Sequence, residues 1–353
     1  MARVDDYLEE ILKQDGSDLH FMAGDPPRIR QYGNLSNLRV ERLAADFVRE
    51  AIYEIMPRKA LERFETMDST DFAYALGDKA RFRVNAMRHL NGMGGVFRAI
   101  PSKAQTLEQL KMPESVRNLC KVSSGMILMT GKTGSGKSTT LAAMIDELNT
   151  QIKGHILTIE DPIEFVHPRK NCLISQREVG VHAESFSSAL LSALREDPDV
   201  ILVGELRDLE TISTAITAAE MGILVMATLH TNGAAATVDR MVNVFPPEKQ
   251  DHVRTMLSTS LRGVVSQQLI TRKGVPGRVA ALEVLINTSA VANLIRQGKM
   301  DQIETAMQAG ASIGMRTMDA AIQQLLDQGV ISGRSAFEKA INKAKFEDFR
   351  TFN

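Results

Sequence analysis

Tryptophan is absent from the 353-residue sequence and aromatic side chains make up only 5% of it. The chain therefore lacks the stacking platforms on which proteins that track single strands rely. Neither sign of charge is in excess: 42 basic and 43 acidic side chains leave a formal net charge of −1. The field of the whole molecule would not hold a polyanion, and no stable nucleic-acid partner is expected. Cysteine is scarce, since Cys120 and Cys172 stand without the Cys or His spacing of a zinc site or a disulfide framework. Both are expected to be buried and reduced. The longest apolar run, around Gly125–Thr130, falls far short of the roughly 20 residues a bilayer crossing needs. The N-terminus is acidic where a leader would be basic, so a cytoplasmic protein is expected. Low-complexity tracts and charge blocks are missing too. With 44% hydrophobic and 24% charged residues the composition is that of a folded globular chain, and its length predicts two domains.

What is present begins with a small α+β module over residues 1–100. Asp5–Gln14 is spaced as an amphipathic helix, and Asp18–Met22 and Arg28–Gln31 read as strands broken at Gly24–Pro27. A helix over Leu43–Ile55 should stop at Met56, because the residue before Pro57 disfavours the α region. Alternating runs at Asp71–Leu76, Ala80–Met87 and Gly95–Ile100, separated by Gly77–Asp78 and Asn91–Gly92, predict antiparallel hairpins. Residues 101–119 contain Pro101 and Pro113 and no long periodic segment, which suits an interdomain connection. A second, α/β domain is expected over 120–288, with buried-type runs at Met126–Thr130, His155–Ile159, Val200–Val203 and Ile223–Thr228 forming a mostly parallel sheet. Residues 289–353 read as a C-terminal helical appendage, with Met315–Asp319 and the helices beyond presenting a surface to a partner.

Gly131-Lys-Thr-Gly-Ser-Gly-Lys-Ser138 matches G-x-x-x-x-G-K-[ST] at every fixed position and lies between an apolar strand and a helix. Glycines let successive backbone N–H groups turn inward around a phosphate, and the helix N-terminus adds partial positive charge. The residues assigned to nucleotide binding are Gly131, Thr133, Gly134, Ser135, Gly136, Lys137, Ser138 and Thr139. Lys137 is placed to neutralise the β and γ phosphates of ATP, and the Ser138 hydroxyl to ligate Mg²⁺.

Hydrolysis also needs acids on neighbouring strands. Asp199–Glu205 is an apolar strand ending in a carboxylate, with Gly204 where many such enzymes place the magnesium aspartate. Glu160, Asp161 and Glu164 follow the other strand around Pro162; Glu160 and Asp161 are candidates for the metal side of the site. The plainer alternative for Glu205 is a strand-end surface acid, and for Glu160, Asp161 and Glu164 acids beside a turn that cap the following segment. His230 follows its strand directly and can sense a γ phosphate through a hydrogen bond, or be structural.

Four ordered blocks, GKTGSGKSTT (Gly131–Thr140), ILTIEDPIEF (Ile156–Phe165), LREDPDVILVGELRD (Leu194–Asp208) and TLHTNGAAATVDRMVNVFP (Thr228–Pro246), together resemble the secretion and pilus motor ATPases, specifically the type IV pilus retraction branch. DLHF (Asp18–Phe21), RFRVN (Arg81–Asn85) and SAVANLIRQGK (Ser289–Lys299) extend the resemblance towards both ends. It implies a PAS-like N-terminal domain, a RecA-like P-loop core, a homo-hexamer with ATP at each interface, and twitching motility as the output. It implies an inner-membrane pilus platform protein as partner, reached from the cytoplasmic face of the membrane. In that frame Glu205 is the general base or water-polarising group and Glu164 an acidic partner. Arg81 and Arg83 reach the nucleotide from the N-terminal module of the same or an adjacent subunit.

Two positions depart from the family pattern. Ile223 stands where the first of two histidines would fall, and Ala292 where an arginine is usual. An accessory pilus or secretion ATPase, a nucleotide-binding regulatory ring subunit and a nucleic-acid motor are the competing readings.

Overall fold

The computed structural model describes residues 2–31, 34–77, 79–100 and 104–350. Asp78 of the expected hairpin turn, residues 101–103 of the expected connection and the last three residues of the C-terminal region lie outside them. The chain divides into two units, Met1–Lys103 with Glu164–Val166, and Ala104–Ile163 with His167–Asn353.

In the first unit the elements run α1 (Asp5–Lys13), β1 (Asp18–Met22), β2 (Arg28–Gln31), β3 (Asn34–Asn37), α2 (Ala45–Ile55), α3 (Arg58–Met67), β4 (Ser69–Leu76), β5 (Ala80–His89) and β6 (Gly92–Ile100). The strands form one antiparallel sheet in the order β3-β2-β1-β6-β5-β4. Period-two alternation decides its faces: Phe82, Val84 and Ala86 of β5 are buried, while Arg81 and Arg83 point to the other side. The buried face packs on Leu8 and Ile11 of α1, Ile52 of α2 and Phe64 of α3. Helix α2 stops as expected, with Met56 extended at ψ 120° before Pro57. Sequence pattern does not announce α3 or β3, for different reasons. The helix buries only Ala60 and Phe64 among ten residues, and the strand is exposed along its whole length.

In the second unit α4 (Glu114–Leu119) precedes β7 (Gly125–Thr130), α5 (Lys137–Gln151), β8 (His155–Glu160), β9 (Leu173–Glu178), α6 (Phe186–Ala193), β10 (Val200–Val203), α7 (Leu209–Glu220) and β11 (Leu224–Leu229). Then come α8 (Ala234–Asn243), α9 (Pro247–Ser260), β12 (Leu261–Thr271), β13 (Arg278–Ile286), α10 (Ser289–Gln297), α11 (Ile303–Ala309), α12 (Met318–Asp327) and α13 (Gly333–Lys339). The sheet order is β13-β12-β7-β11-β10-β8-β9, parallel from β12 to β9 with β13 antiparallel at the edge. This is the α/β class with a mostly parallel sheet that the strand-loop-helix pattern predicts. Both faces are covered: Met126 and Leu128 pack with α6 to α9, whereas Ile127 and Met129 pack with Leu141, Met144, Ile145 and Leu148 of α5. Continuous apolar strands follow from that double burial.

Two boundaries differ from the sequence reading. Leu107, Met112, Val116 and Leu119 are buried in the same core as α5, so from Ala104 onward the expected connection is part of the second unit. The C-terminal helices are likewise no appendage. Val291, Ile295, Ile303, Met307 and Met315 join the core of α6 to α9, and Met318 and Ile322 pack with Ile270 of β12 and Ala281 of β13. Met315, Met318 and Asp319 are only 4%, 2% and 6% exposed, which rules them out as a partner-facing surface. Each large apolar side chain contributes about 1.5–3 kcal/mol on burial, so losing several exceeds the 5–15 kcal/mol margin of an ordinary fold. A chain ending at residue 288 is therefore expected to lose its cooperative thermal unfolding transition, monitored by circular dichroism.

His167 lies 6% exposed, and burial pushes its imidazole down to about 4. A depressed histidine stabilises the fold fully above its unfolded value near 6.5, and that contribution is lost as pH falls towards 4. Between pH 7 and pH 5 the second unit should lose roughly 2 kcal/mol through this group. Urea titrations of wild type and His167→Phe at both pH values measure it; the variant should show the smaller loss.

Candidate active site

The site is assembled at the carboxyl ends of four adjacent parallel strands, where ligands of open α/β sheets bind. Between β7 and α5 the chain turns through Gly131, Gly134 and Gly136, with φ of 137°, 77° and 88°, values that favour glycine. At Gly131 space demands glycine too, for a Cβ there would run into the Gln267 carbonyl oxygen, and one on Gly136 would stand 2.7 Å from the side-chain Nε2 of the same residue. Lys137 opens α5, 8% exposed, with Nζ donating to Gly131 O at 2.7 Å and Lys132 O at 3.3 Å. Its ammonium is thus held in the mouth of the loop. Ser138 and Thr139 follow half-buried on the first turn of α5, while Thr133 and Gly134 are exposed at the loop's crest. Ser135, 6% exposed, has a hydroxyl with no hydrogen-bond partner among the described residues.

Next to the loop β11 ends at Leu229, paired with Thr130, and beyond it β10 pairs Val203 with Ala227. Thr228 Oγ1 donates to Gly204 O at 2.5 Å, tying the end of β11 to the segment leaving β10. That segment places Glu205 beside His230: Nε2 of the histidine lies 3.2 Å from Oε1, and Arg207 Nε donates to Oε2 at 2.6 Å. Glu205 is thus the meeting point of two strands, its side chain 18% exposed between two more exposed partners. Asp208 then caps α7 by accepting from Thr211 N at 2.8 Å, which fixes the exit of the same segment.

On the far side β8 ends at Glu160. This carboxylate is 8% exposed and accepts from Thr158 Oγ1 at 2.6 Å and Gln176 Nε2 at 3.3 Å, while Asp161 is exposed. Gly204 has a steric reason: a Cβ there would stand 3.1 Å from Ile159 O and 3.3 Å from the Glu160 Cα. An aspartate at that place would need the end of β8 to give by a few tenths of an ångström.

The residues expected to act together divide between the units. The phosphate loop, Glu205, His230, Glu160 and Asp161 belong to the second unit; Arg81, Arg83 and Glu164 belong to the first. Arg83 sits on β5 with its Nε 3.6 Å from Asp71 Oδ1, and Arg81 shares that polar sheet face. Ile223 stands just before β11, at the opposite end of the strand from His230. Seven extended residues span roughly 20 Å, so a histidine at 223 would lie far from the phosphate end of its own site. The departure there leaves the His230–Glu205 pair intact.

Sequence reasoning missed Arg207, Thr228 and Gln267. A signal existed for the first, since residues two apart in extended chain share a face and Glu205 and Arg207 have opposite charge. Gln267 had none, because it comes from a strand far away in sequence.

The family model described as type II/IV secretion system protein matches residues 1–341. The type IV pilus retractation ATPase PilT of Pseudomonas aeruginosa is 53% identical over 337 residues, 96% of this chain and 98% of that protein. A twitching motility protein of Neisseria gonorrhoeae is 49% identical, covering 90% of this chain and 84% of its own length. Among solved structures, the crystal structure of the pilus retraction motor PilT with bound ADP superimposes with a TM-score of 0.91 at 40% identity, over 99% of this chain and 100% of that one. On this footing, with the phosphate loop, Glu205 and His230 gathered on one sheet edge, the chain belongs to the type II/IV secretion system protein family.

Proposed function

We propose that this protein is an ATP-hydrolysing motor that powers retraction of a type IV pilus, working as a homo-hexameric ring. The observation that carries the reading is the His230–Glu205 pair after β11 and β10, beside the strand whose phosphate loop holds Lys137, in a chain 53% identical to a protein named for that activity. Loop amides, the α5 N-terminus and Lys137 bind and orient the β and γ phosphates. Glu205, steadied by Arg207 and His230, takes the proton of the attacking water. His230, hydrogen-bonded to Glu205, lets that carboxylate report on the γ phosphate.

The donor set fits Mg²⁺: a half-buried hydroxyl, Ser138, lies on the first turn of α5 after the phosphate loop, with Glu160 and Asp161 at the carboxyl end of β8 assigned as outer partners. When bound, the ion would neutralise phosphate charge. Arg81 and Arg83 are assigned to the same reaction from a PAS-like first domain, as guanidinium forks for phosphate. The output is passed to an inner-membrane platform protein from the cytoplasmic side. No helix among the described residues is long and apolar enough to cross a membrane.

An accessory motor of the same family is the second reading, favoured by Ala292, half-buried on α10 where the family has arginine. The test is phosphate release by the purified chain, run with its mass in solution. Turnover by a six-subunit species supports the primary reading. Nucleotide binding without turnover would overturn it in favour of a regulatory ring, and turnover dependent on DNA in favour of a nucleic-acid motor.

A further inference from the structure

Strand β12 reaches the phosphate loop with a single side chain. Gln267 is 2% exposed, and both ends of its amide are used: Nε2 donates to Ser135 O at 2.8 Å and Oε1 accepts from Thr140 Oγ1 at 2.8 Å. One end therefore holds the loop at Ser135 and the other the first turn of α5. Two glycines of the loop also face this residue, since a Cβ on Gly131 would meet the Gln267 carbonyl and one on Gly136 its Nε2. The loop is shaped around this glutamine at Gly131, Ser135, Gly136 and the first turn of α5. On the opposite face of β12 the preceding residue, Ser266, accepts from Gly233 N at 3.2 Å, in the loop that follows His230.

We propose that Gln267 is a positioning residue of the phosphate loop, a buried amide that sets the spacing between the Ser135 carbonyl and α5 and so preforms the cradle for the β phosphate. The proposal rests on the nucleotide-binding reading of Gly131–Ser138 and deepens it. Without the amide, Ser135 O loses its donor, and the loop relaxes towards conformations in which its N–H groups no longer converge. Binding must then restore the shape, and affinity falls by the free energy of that ordering. Gln267 contacts neither Glu205 nor His230 in any hydrogen bond described for them, so the effect should fall on binding and spare turnover at saturation.

The experiment is calorimetric titration of the full chain with Mg-ADP, together with steady-state ATP hydrolysis, for wild type, Gln267→Met and Thr140→Val. Methionine keeps the volume and removes both hydrogen bonds. Thr140→Val is the matched comparison, because it removes the bond on the α5 side and leaves the one to Ser135. Gln267→Met should weaken Mg-ADP about tenfold, with KM for ATP raised in parallel and kcat within about threefold; Thr140→Val should weaken it by about threefold or less. Thermal unfolding without nucleotide is followed for both. Equal affinity in wild type and Gln267→Met would overturn the proposal. So would equal weakening in both variants tracking equal falls in unfolding temperature, which is what a packing role alone produces. If Gln267→Met does not fold, Gln267→Glu substitutes: it keeps the acceptor for Thr140 and opposes the Ser135 carbonyl, so it should weaken Mg-ADP by more than tenfold, and unchanged affinity would overturn the proposal. Failure of wild type to bind Mg-ADP would instead remove the underlying reading.

Discussion

Replacing Lys137 with alanine is expected to bring ATP hydrolysis below about 1% of the wild-type rate. The reason is local. The ammonium is 8% exposed and pinned in the loop mouth by the Gly131 and Lys132 carbonyls, so it is a preorganised charge in a water-poor setting. Fixed donors of this kind cost roughly 10²–10³ in kcat when removed. A second loss adds to the first, because the same charge offsets the β and γ phosphates in the ground state and nucleotide affinity should fall as well. Phosphate release measured across ATP concentrations separates the two effects, and a native circular dichroism spectrum checks that the variant folds.

Glu205→Gln should divide binding from chemistry. Glutamine keeps the shape and can still meet His230, but it cannot take a proton from water. Turnover should fall by roughly 10²–10⁴, the range of a lost general base, while Mg-ADP affinity stays within about threefold. Arg207, 2.6 Å from Oε2, leaves Oε1 as the oxygen that His230 and water share. Normal turnover in Glu205→Gln would move the base elsewhere, with Glu164 the next candidate. Together these substitutions distinguish a site that binds from a site that hydrolyses.

How much of this was legible in the sequence follows from where each residue gets its partners. The loop from Gly131 to Ser138 is local, and glycine spacing, a lysine and a flanking apolar strand were enough to locate it. Glu205 and His230 were also legible, because each ends a short continuous apolar run, the pattern of a strand buried on both faces. β9 and the β12–β13 hairpin were not. β9 is an edge strand with one buried residue, and β12 carries Ser266 and Gln267 buried as polar groups, which breaks an apolar run without ending the strand. The C-terminal helices misled for a related reason. On α10 the buried stripe is only Val291 and Ile295, and on α12 the acidic Asp319 is buried along with Met318, Ala321 and Ile322, which blurs the apolar pattern. Position 223 shows the same limit in reverse. As a motif element it departs from a two-histidine pattern, and only the direction of β11 places it at the far end of the strand from His230.

The central claim, that ATP hydrolysis at Lys137 and Glu205 drives pilus retraction, is tested most directly by pilus-dependent surface motility. The strain to use lacks the gene for this chain and is complemented with wild type or with Lys137→Ala at matched protein levels. Wild type should restore spreading and clear surface pili, while Lys137→Ala should leave the cells piliated and immobile. Motility restored by Lys137→Ala would contradict the account.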